Sequence, residues 1–466
     1  MLEGPAGGRD AARRAWSREL RATLALGIPL IAAQLAQIGI NTTDTLMMGR
    51  LGADALAAGA LGNTLLFLFI IVQIGLGVAA GTLVAQERGR RPQAVREPRR
   101  LVRQGFWATS AFTVFALAML WHGEALLRLA GQDPAVARHA MDYIRPAMWA
   151  LPFSGVFVVL RGFMLSLERT REVLLVTLGA IVVNAAVNWV LMFGKLGFPA
   201  LGITGTGVAT AVTNAFMLAA LAVVLHADPT LRRYAVLGRF WRADWSRLLT
   251  IVRMGVPIAL LLLAEVGTFA GSTALAGMVG TETLAAHAIA LQITGVCFMV
   301  PLGLSQATNV RVGLAHGRGR GVALAGNVSL ALGFGFALVA AAIMLAFPDA
   351  LVAAFIDPAE AARTASLAAS FLLIAALFQL ADGGQVLLAA ALRGTGDTAV
   401  PLALATIGFW LVGIPLAATL ALGLVGAPWG GLGIWVGLGV GLTAASLLLG
   451  ARWWLKARAP DVEEPG

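Results

Sequence analysis

The sequence predicts an all-α integral membrane protein of twelve transmembrane helices, arranged as two six-helix lobes related by a pseudo-two-fold axis along the membrane normal. Three observations predict it. Hydrophobic residues make up 59% of the chain and charged residues 12%, leaving more apolar surface than a water-soluble chain of 466 residues would bury. Twelve apolar stretches, each about 20 residues or longer and so able to cross a ~30 Å hydrocarbon layer, are centred near residues 35, 70, 112, 155, 182, 215, 262, 298, 335, 378, 410 and 442. The second half of the chain also repeats the first at a fixed offset of 228 residues.

Residues 1–21 are polar and Arg-rich and read as a cytoplasmic tail. The apolar run after them is too long for a removable signal and lacks a convincing cleavage site, so it is span 1. Spans 1 to 6 fill residues 22–226 as an N-lobe, and spans 7 to 12 fill 248–455 as a C-lobe. Between them, 227–247, with Asp228-Pro229, Arg232-Arg233 and Trp241, reads as a cytoplasmic linker, and 456–466 as a cytoplasmic tail. Basic residues gather on the cytoplasmic side of membrane proteins, and placing both termini there puts 27 of the 34 Lys and Arg residues on that side. The expected location is a bacterial inner membrane, and the expected functional unit is the monomer.

The repeat needs no gap over its clearest stretches. Gly27-Ile28-Pro29 returns as Gly255-Val256-Pro257, and Leu51-Gly52-Ala53-Asp54-Ala55-Leu56-Ala57-Ala58 returns as Val279-Gly280-Thr281-Glu282-Thr283-Leu284-Ala285-Ala286. Gly89 after span 2 meets Gly317 after span 8. Six helices precede the second copy, so both halves start on the same side of the membrane and the repeats are parallel, with a central cleft expected between them.

A net charge of +10 does not point to nucleic acid, because the basic residues are scattered between apolar runs. The solitary Cys297 excludes an internal disulfide and a cysteine-built metal site. His122, His139, His226, His287 and His316 fall at or near helix ends and form no ligand pair; no cofactor and no enzyme chemistry is expected.

Three acids stand out inside apolar spans: Asp44, Glu265 and Asp382. An ionised carboxylate in hydrocarbon costs at least ~2.5 kcal/mol, so such residues face water or protein and mark ion or substrate pathways. On span 1, Gln34, Gln37, Asn41 and Asp44 recur at helical spacing and share one face. Asn184 and Asn188 share a face of span 5 and offer Asp44 amide partners. This hard-oxygen set suits sodium, and equally a protonated acid. Glu265 lies at mid-depth of span 7, and on span 10 Gln379, Asp382 and Gln385 recur every third residue beside Gly383 and Gly384. At the offset of 228, Glu265 corresponds to Gln37 and Asp44 to Ser272, so the two lobes carry their acids at non-equivalent positions.

The stretch Asn41-Thr42-Thr43-Asp44-Thr45-Leu46-Met47-Met48-Gly49, the Gly-Val-Pro start of span 7 leading to Glu265, and Ala391-Leu392-Arg393-Gly394-Thr395-Gly396-Asp397-Thr398 after span 10 resemble the multidrug and toxic compound extrusion (MATE) transporters. With Glu265 and Asp382 beside Asp44, the chain is most similar to the NorM-type branch. The resemblance covers about residues 20–455 and implies an antiporter that exports bulky organic cations against entering Na+ or H+, by rocking its lobes within membrane lipid. It further implies that Asp44, Asn184 and Asn188 form an N-lobe cation cluster completed by Thr206 or Thr210, and that Glu265 and Asp382 form a C-lobe acidic pair. Na+ would then sit at Asp44 or at Glu265 and Asp382. Some members carry an aspartate where this chain has Asn188. The Arg393–Asp397 turn admits two readings, a gate whose salt bridge forms and breaks, or a Gly-rich turn with Arg393 at the lipid interface. A lipid-linked sugar flippase would require a basic cavity, whereas the deepest charges here are acidic.

Overall fold

Hydrocarbon offers a backbone no partner but itself, so a spanning segment must close its own hydrogen bonds as a helix. In the computed structural model, which describes residues 5–238, 242–357 and 359–458, every regular element is helical. Trp241 of the linker and the tail beyond residue 458 lie outside the described residues.

Span 1 is Pro5–Gly49, span 2 Ala53–Arg90, span 5 Thr170–Phe193 and span 6 Ile203–Ala227. The stretch expected as an N-terminal tail is thus, from Pro5 on, a continuation of the first helix. Span 7 is Trp245–Val279, span 8 Thr281–Gly317, span 9 Val322–Ala346, span 10 Ala362–Gly394 and span 12 Gly431–Ala457. The other three are irregular. Span 3, Arg96–Trp121, turns by 70° into Gly123–Leu129, and span 4 is Pro134–Ala147 turned by 53° into Ala150–Ser166. Pro146, which has no N–H to give, sits at that second bend. Span 11 is Ala399–Leu422 and contains a π-helical stretch, Ile407–Gly413. Counting each bent pair as one span gives twelve among the described residues. Large apolar side chains such as Val114, Val182, Leu377 and Leu411 are exposed, as lipid-facing residues are.

The repeat is geometric as well as textual. Gly202 opens span 6 at φ 55, ψ −130, and Gly430, 228 residues later, opens span 12 at φ 56, ψ −134, a conformation open essentially to glycine alone. At the end of span 5, however, the left-handed cap Gly194 matches Gly423, one residue out of step. The π-helical stretch explains the slip. A π-turn carries one residue more than the α-turn it replaces, and span 11 holds one where its counterpart, span 5, is a continuous α-helix.

By packing, the chain divides into one compact unit of Ala32–Ala259 and a second made of the residues up to Ile31 together with those from Leu260 on. Both divisions fall inside helices, whereas the division by sequence falls in the linker. Glycine makes these crossings. A Cβ on Gly75 would lie 2.7 Å from the Ala259 nitrogen, and one on Gly303 2.6 Å from the Ile31 Cα. Gly75 and Gly303 are repeat-equivalent, as are Ile31 and Ala259, so spans 1 and 7 each lend their N-terminal half to the other repeat's second span. Ion pairs anchor those halves: Glu19 takes Arg311 through both oxygens at 2.8 and 2.6 Å, and Arg247, equivalent to Glu19, takes Glu97 at 2.5 Å.

Gly303→Val should therefore lower the thermal unfolding temperature of the purified protein, by overpacking of about 1–3 kcal/mol. Gly335→Val, with open space around its Cβ, should leave it unchanged. Equal melting of the two variants would show that the crossing is not tight.

Candidate functional site

The Ala32–Ala259 unit holds the first acid. Asp44 is half-buried on span 1, and Asn188 donates its Nδ2–H to Asp44 Oδ1 at 2.6 Å; Asn184, one turn earlier on span 5, reaches the same carboxylate. Both asparagines are buried, as their spacing on one helical face requires. Gln37 and Asn41, on the same stripe, are exposed and do not join the cluster, while Gln34 accepts from Arg161 Nη2 at 3.3 Å.

Span 6, which packs against span 5, carries the two candidate threonines. Thr206 is buried with a hydroxyl that has no partner, and Thr210 donates to the Thr206 carbonyl at 3.0 Å. Tyr143, which sequence reasoning missed, lies between: its hydroxyl donates to Asn63 Oδ1 at 3.3 Å and approaches Thr210 Oγ1 at 3.4 Å. It is one of only two tyrosines in the chain, and a buried hydroxyl in so apolar a sequence was the available signal. Asn184 Oδ1, Asn188 Oδ1 and Thr206 Oγ1 are all buried without a hydrogen-bond partner. Buried oxygens are normally satisfied, so the partnerless amide oxygens of Asn184 and Asn188 beside the Asp44 carboxylate have the donor chemistry of a small hard cation's shell. Among the described residues no three His, Cys, Asp or Glu side chains converge, so a cation here would be held by amide and hydroxyl oxygens around one carboxylate.

The other two acids share the second unit. Glu265 accepts from Gln385 Nε2 at 3.1 Å. Asp382, buried one turn earlier on span 10, lies within charge-interaction range of Glu265 and hydrogen-bonding reach of Gln385, and its Oδ1 has no partner. Gln385 therefore links the pair, although its place in the stripe gave it no more weight than Gln379, which is buried on the same helix. Gly383 and Gly384 do admit neighbours: Cβ atoms there would meet Pro301 at 3.6 Å and Ser446 Oγ at 2.9 Å. Beside Glu265, Trp410 donates its indole N–H to the Ala264 carbonyl at 3.1 Å.

Neither reading of the turn after span 10 holds in full. Asp397 does not pair with Arg393; it accepts from Arg452 Nε at 2.9 Å and Nη2 at 2.8 Å, tying the turn after span 10 to span 12, while Arg393 is buried instead of lying at the lipid interface. The turn closes through Gly396, at φ 86, which lets the Asp397 N–H reach the Leu392 carbonyl. His287 lies near the N-terminal end of span 8, as expected. It is buried in span 8, its Nε2 3.4 Å from the Ser272 and Thr273 hydroxyls and its ring edge-on to Trp435 at 5.5 Å.

Twelve spans, two parallel repeats and three carboxylates inside apolar helices define a membrane transporter. The model of the MatE family matches the chain twice, over residues 29–190 and 257–419, and the chain belongs to that family. The two matches begin 228 residues apart, the repeat offset. A probable multidrug resistance protein NorM of Mesorhizobium japonicum is 46% identical over 97% of both chains, and one of Rhizobium meliloti 43% identical over 94% of both. Among solved structures, the eukaryotic MATE transporter AtDTX14 superposes with a TM-score of 0.82 at 20% identity, over 95% of this chain and 98% of that one. An outward-facing multidrug resistance MATE transporter gives 0.84 at 19%, over 96% and 97%. At that identity the likeness shows the fold.

A hydrogen bond to a charged group contributes about 1.5–3 kcal/mol, so Gln385→Leu should cut transport per inserted molecule in proteoliposomes roughly tenfold or more. An unchanged rate would mean that the Gln385–Glu265 bond has no part in the cycle.

Proposed function

We propose that this protein is a cation-coupled antiporter that exports organic, often cationic, drugs and toxic compounds, driven by entry of Na+ or H+. The observation that carries the reading is the pair of buried, partnerless amide oxygens of Asn184 and Asn188, the two residues that reach Asp44. The multidrug resistance named in the NorM relatives supports the substrate class. In this reading Asp44, Asn184, Asn188, Thr206 and Thr210 hold the entering ion, and Glu265 and Asp382, with Gln385 and Gln379, meet the organic cation or a second ion.

Exchange follows from differential affinity. A cation or proton that neutralises a buried carboxylate favours one arrangement of the lobes, the organic cation favours the other, and each therefore drives the other out. The moving bodies are the lobes of residues 22–226 and 248–455, joined by the 227–247 linker. Pro29 and Pro257 lie two residues before the divisions inside spans 1 and 7, and each removes a backbone hydrogen bond where those helices must flex. The protein works as a monomer in the bacterial inner membrane, with both termini cytoplasmic.

Proteoliposomes loaded with a fluorescent organic cation, with sodium and proton gradients imposed separately, test this directly. One gradient should drive efflux. Asp382→Asn and Glu265→Gln should abolish it while leaving the protein folded and inserted, and wild-type rates in both variants would overturn the assignment of those acids.

A further inference from the structure

The N-terminal repeat carries a second built polar pocket, which transport as described above does not use. It is a cavity of about 170 Å³ walled by Arg88 at the end of span 2, Arg169 at the start of span 5, and Thr230, Arg233 and Tyr234 of the linker. All five lie within the Ala32–Ala259 unit, at the end where the basic loops gather.

Its walls are held in place. Tyr234, the chain's other tyrosine, is 1% exposed, with its ring edge-on to Phe163 at 5.2 Å. Arg99 fixes the backbone there, donating from Nε to the Tyr234 carbonyl and from Nη2 to the Arg233 carbonyl at 3.1 Å. Arg233 lies over the Tyr234 ring at 5.2 Å and donates to its hydroxyl at 3.4 Å. Arg88 donates from Nη1 to the Ser166 carbonyl at 3.0 Å, while its Nε is buried without a hydrogen-bond partner.

The charges do not cancel. Two carboxylates stand beside the pocket, and both are engaged by Arg169: Glu172 at 3.1 Å and Asp228 at 2.9 Å. Hydrogen bonds from Thr230, with Arg169 nearby, hold the Asp228 carboxyl below the usual carboxylate range, so it stays ionised and committed to that pair. Arg88 and Arg233 form no ion pair among the described residues. The pocket thus presents two uncompensated guanidinium groups, one with a buried idle donor, together with the Tyr234 hydroxyl, while the Thr230 hydroxyl donates to Asp228 Oδ1 at 2.6 Å.

We propose that this pocket binds a phosphate group, supplied by an anionic lipid headgroup or by a soluble phosphate. Guanidinium forks match phosphate oxygens in plane and spacing, and the Tyr234 hydroxyl, which accepts from Arg233, keeps its own proton to donate. Basic pockets between membrane helices near the headgroup layer are where anionic lipid heads bind. A phosphate held here would bridge span 2, the turn between spans 4 and 5, and the linker, fixing the linker to the first repeat.

The test uses the purified full-length transporter in nanodiscs of phosphatidylcholine with or without phosphatidylglycerol, and separately in detergent with inorganic phosphate. Retained lipid is read by native mass spectrometry and stability by thermal shift. Wild type should retain phosphatidylglycerol or be stabilised by phosphate, the first outcome assigning the headgroup and the second the soluble ion. Arg88→Gln and Arg233→Gln, tested singly and together, should each weaken that affinity about fivefold. Arg232→Gln, an exposed neighbour outside the pocket, should leave it unchanged. Arg233→Lys, which keeps the charge, controls for misfolding and should retain part of the binding. Equal response of wild type and the double variant, equal loss in Arg232→Gln, or no response to either ligand would overturn the proposal.

Discussion

A carboxylate kept from water needs donors or a cation within bonding distance, and in hydrocarbon only the protein can supply them. Helix approach is therefore the constraint on which the rest of this structure depends. Where spans must come closest the chain uses glycine: Gly81 against Gly162 inside the first repeat, where a Cβ would stand 2.9 Å from the partner's Cα, and Gly437 against Ala417 in the second, at 2.4 Å. Beside these crossings, span 10 comes close enough for Gln385 to reach Glu265 on span 7, and span 5 close enough for Asn188 to reach Asp44 on span 1. Small residues set the close helix crossings, and polar side chains add hydrogen bonds between other helices of the same bundle.

The same economy shapes the exchange of helix halves. Gly27 and Gly255 at the starts of spans 1 and 7 are repeat-equivalent, and so are their neighbours Leu304 and Leu76. One contact has been written twice, once in each compact unit. Each acid-bearing first span is consequently shared: Asp44 and the N-terminal half of its own helix belong to different units, and Glu265 stands only a few residues beyond the corresponding division in span 7.

The twelve spans, the parallel repeat and the placement of the three acids inside apolar helices were legible in the sequence, because hydrocarbon thickness sets span length and because a charge in an apolar run has no disguise. What escaped were features with no signature in hydropathy. One inserted residue in span 11 changes no average, yet it shifts the repeat out of step and surfaces as a π-helical stretch. Tyr143 meets Asn63 and Thr210 across 80 and 67 residues of chain, a convergence that only packing decides. The ion-pair partner of Asp397, Arg452, is 55 residues away on span 12, out of reach of the local Arg393–Asp397 motif.

The offset of 228 finally explains why the acids are unequal. Carried into the second repeat, the Asp44 pocket should consist of Ser272 for Asp44, Phe371 for Tyr143, Ile434 for Thr206 and Leu438 for Thr210. Every oxygen that made the first pocket polar has gone except a serine hydroxyl. The space is filled as well: Gly59 becomes His287 and Gly207 becomes Trp435, whose rings pack edge-on to each other, with Phe371 stacked on Trp435 at 5.9 Å. Aromatic rings thus occupy, in the second repeat, positions equivalent to those around the Asp44 cluster in the first. The carboxylates of the second repeat stand instead on spans 7 and 10, where the first repeat has Gln37 for Glu265 and Ser154 for Asp382. One fold written twice therefore carries its acids at non-equivalent positions, with amide groups around Asp44 and aromatic packing where its counterpart would stand.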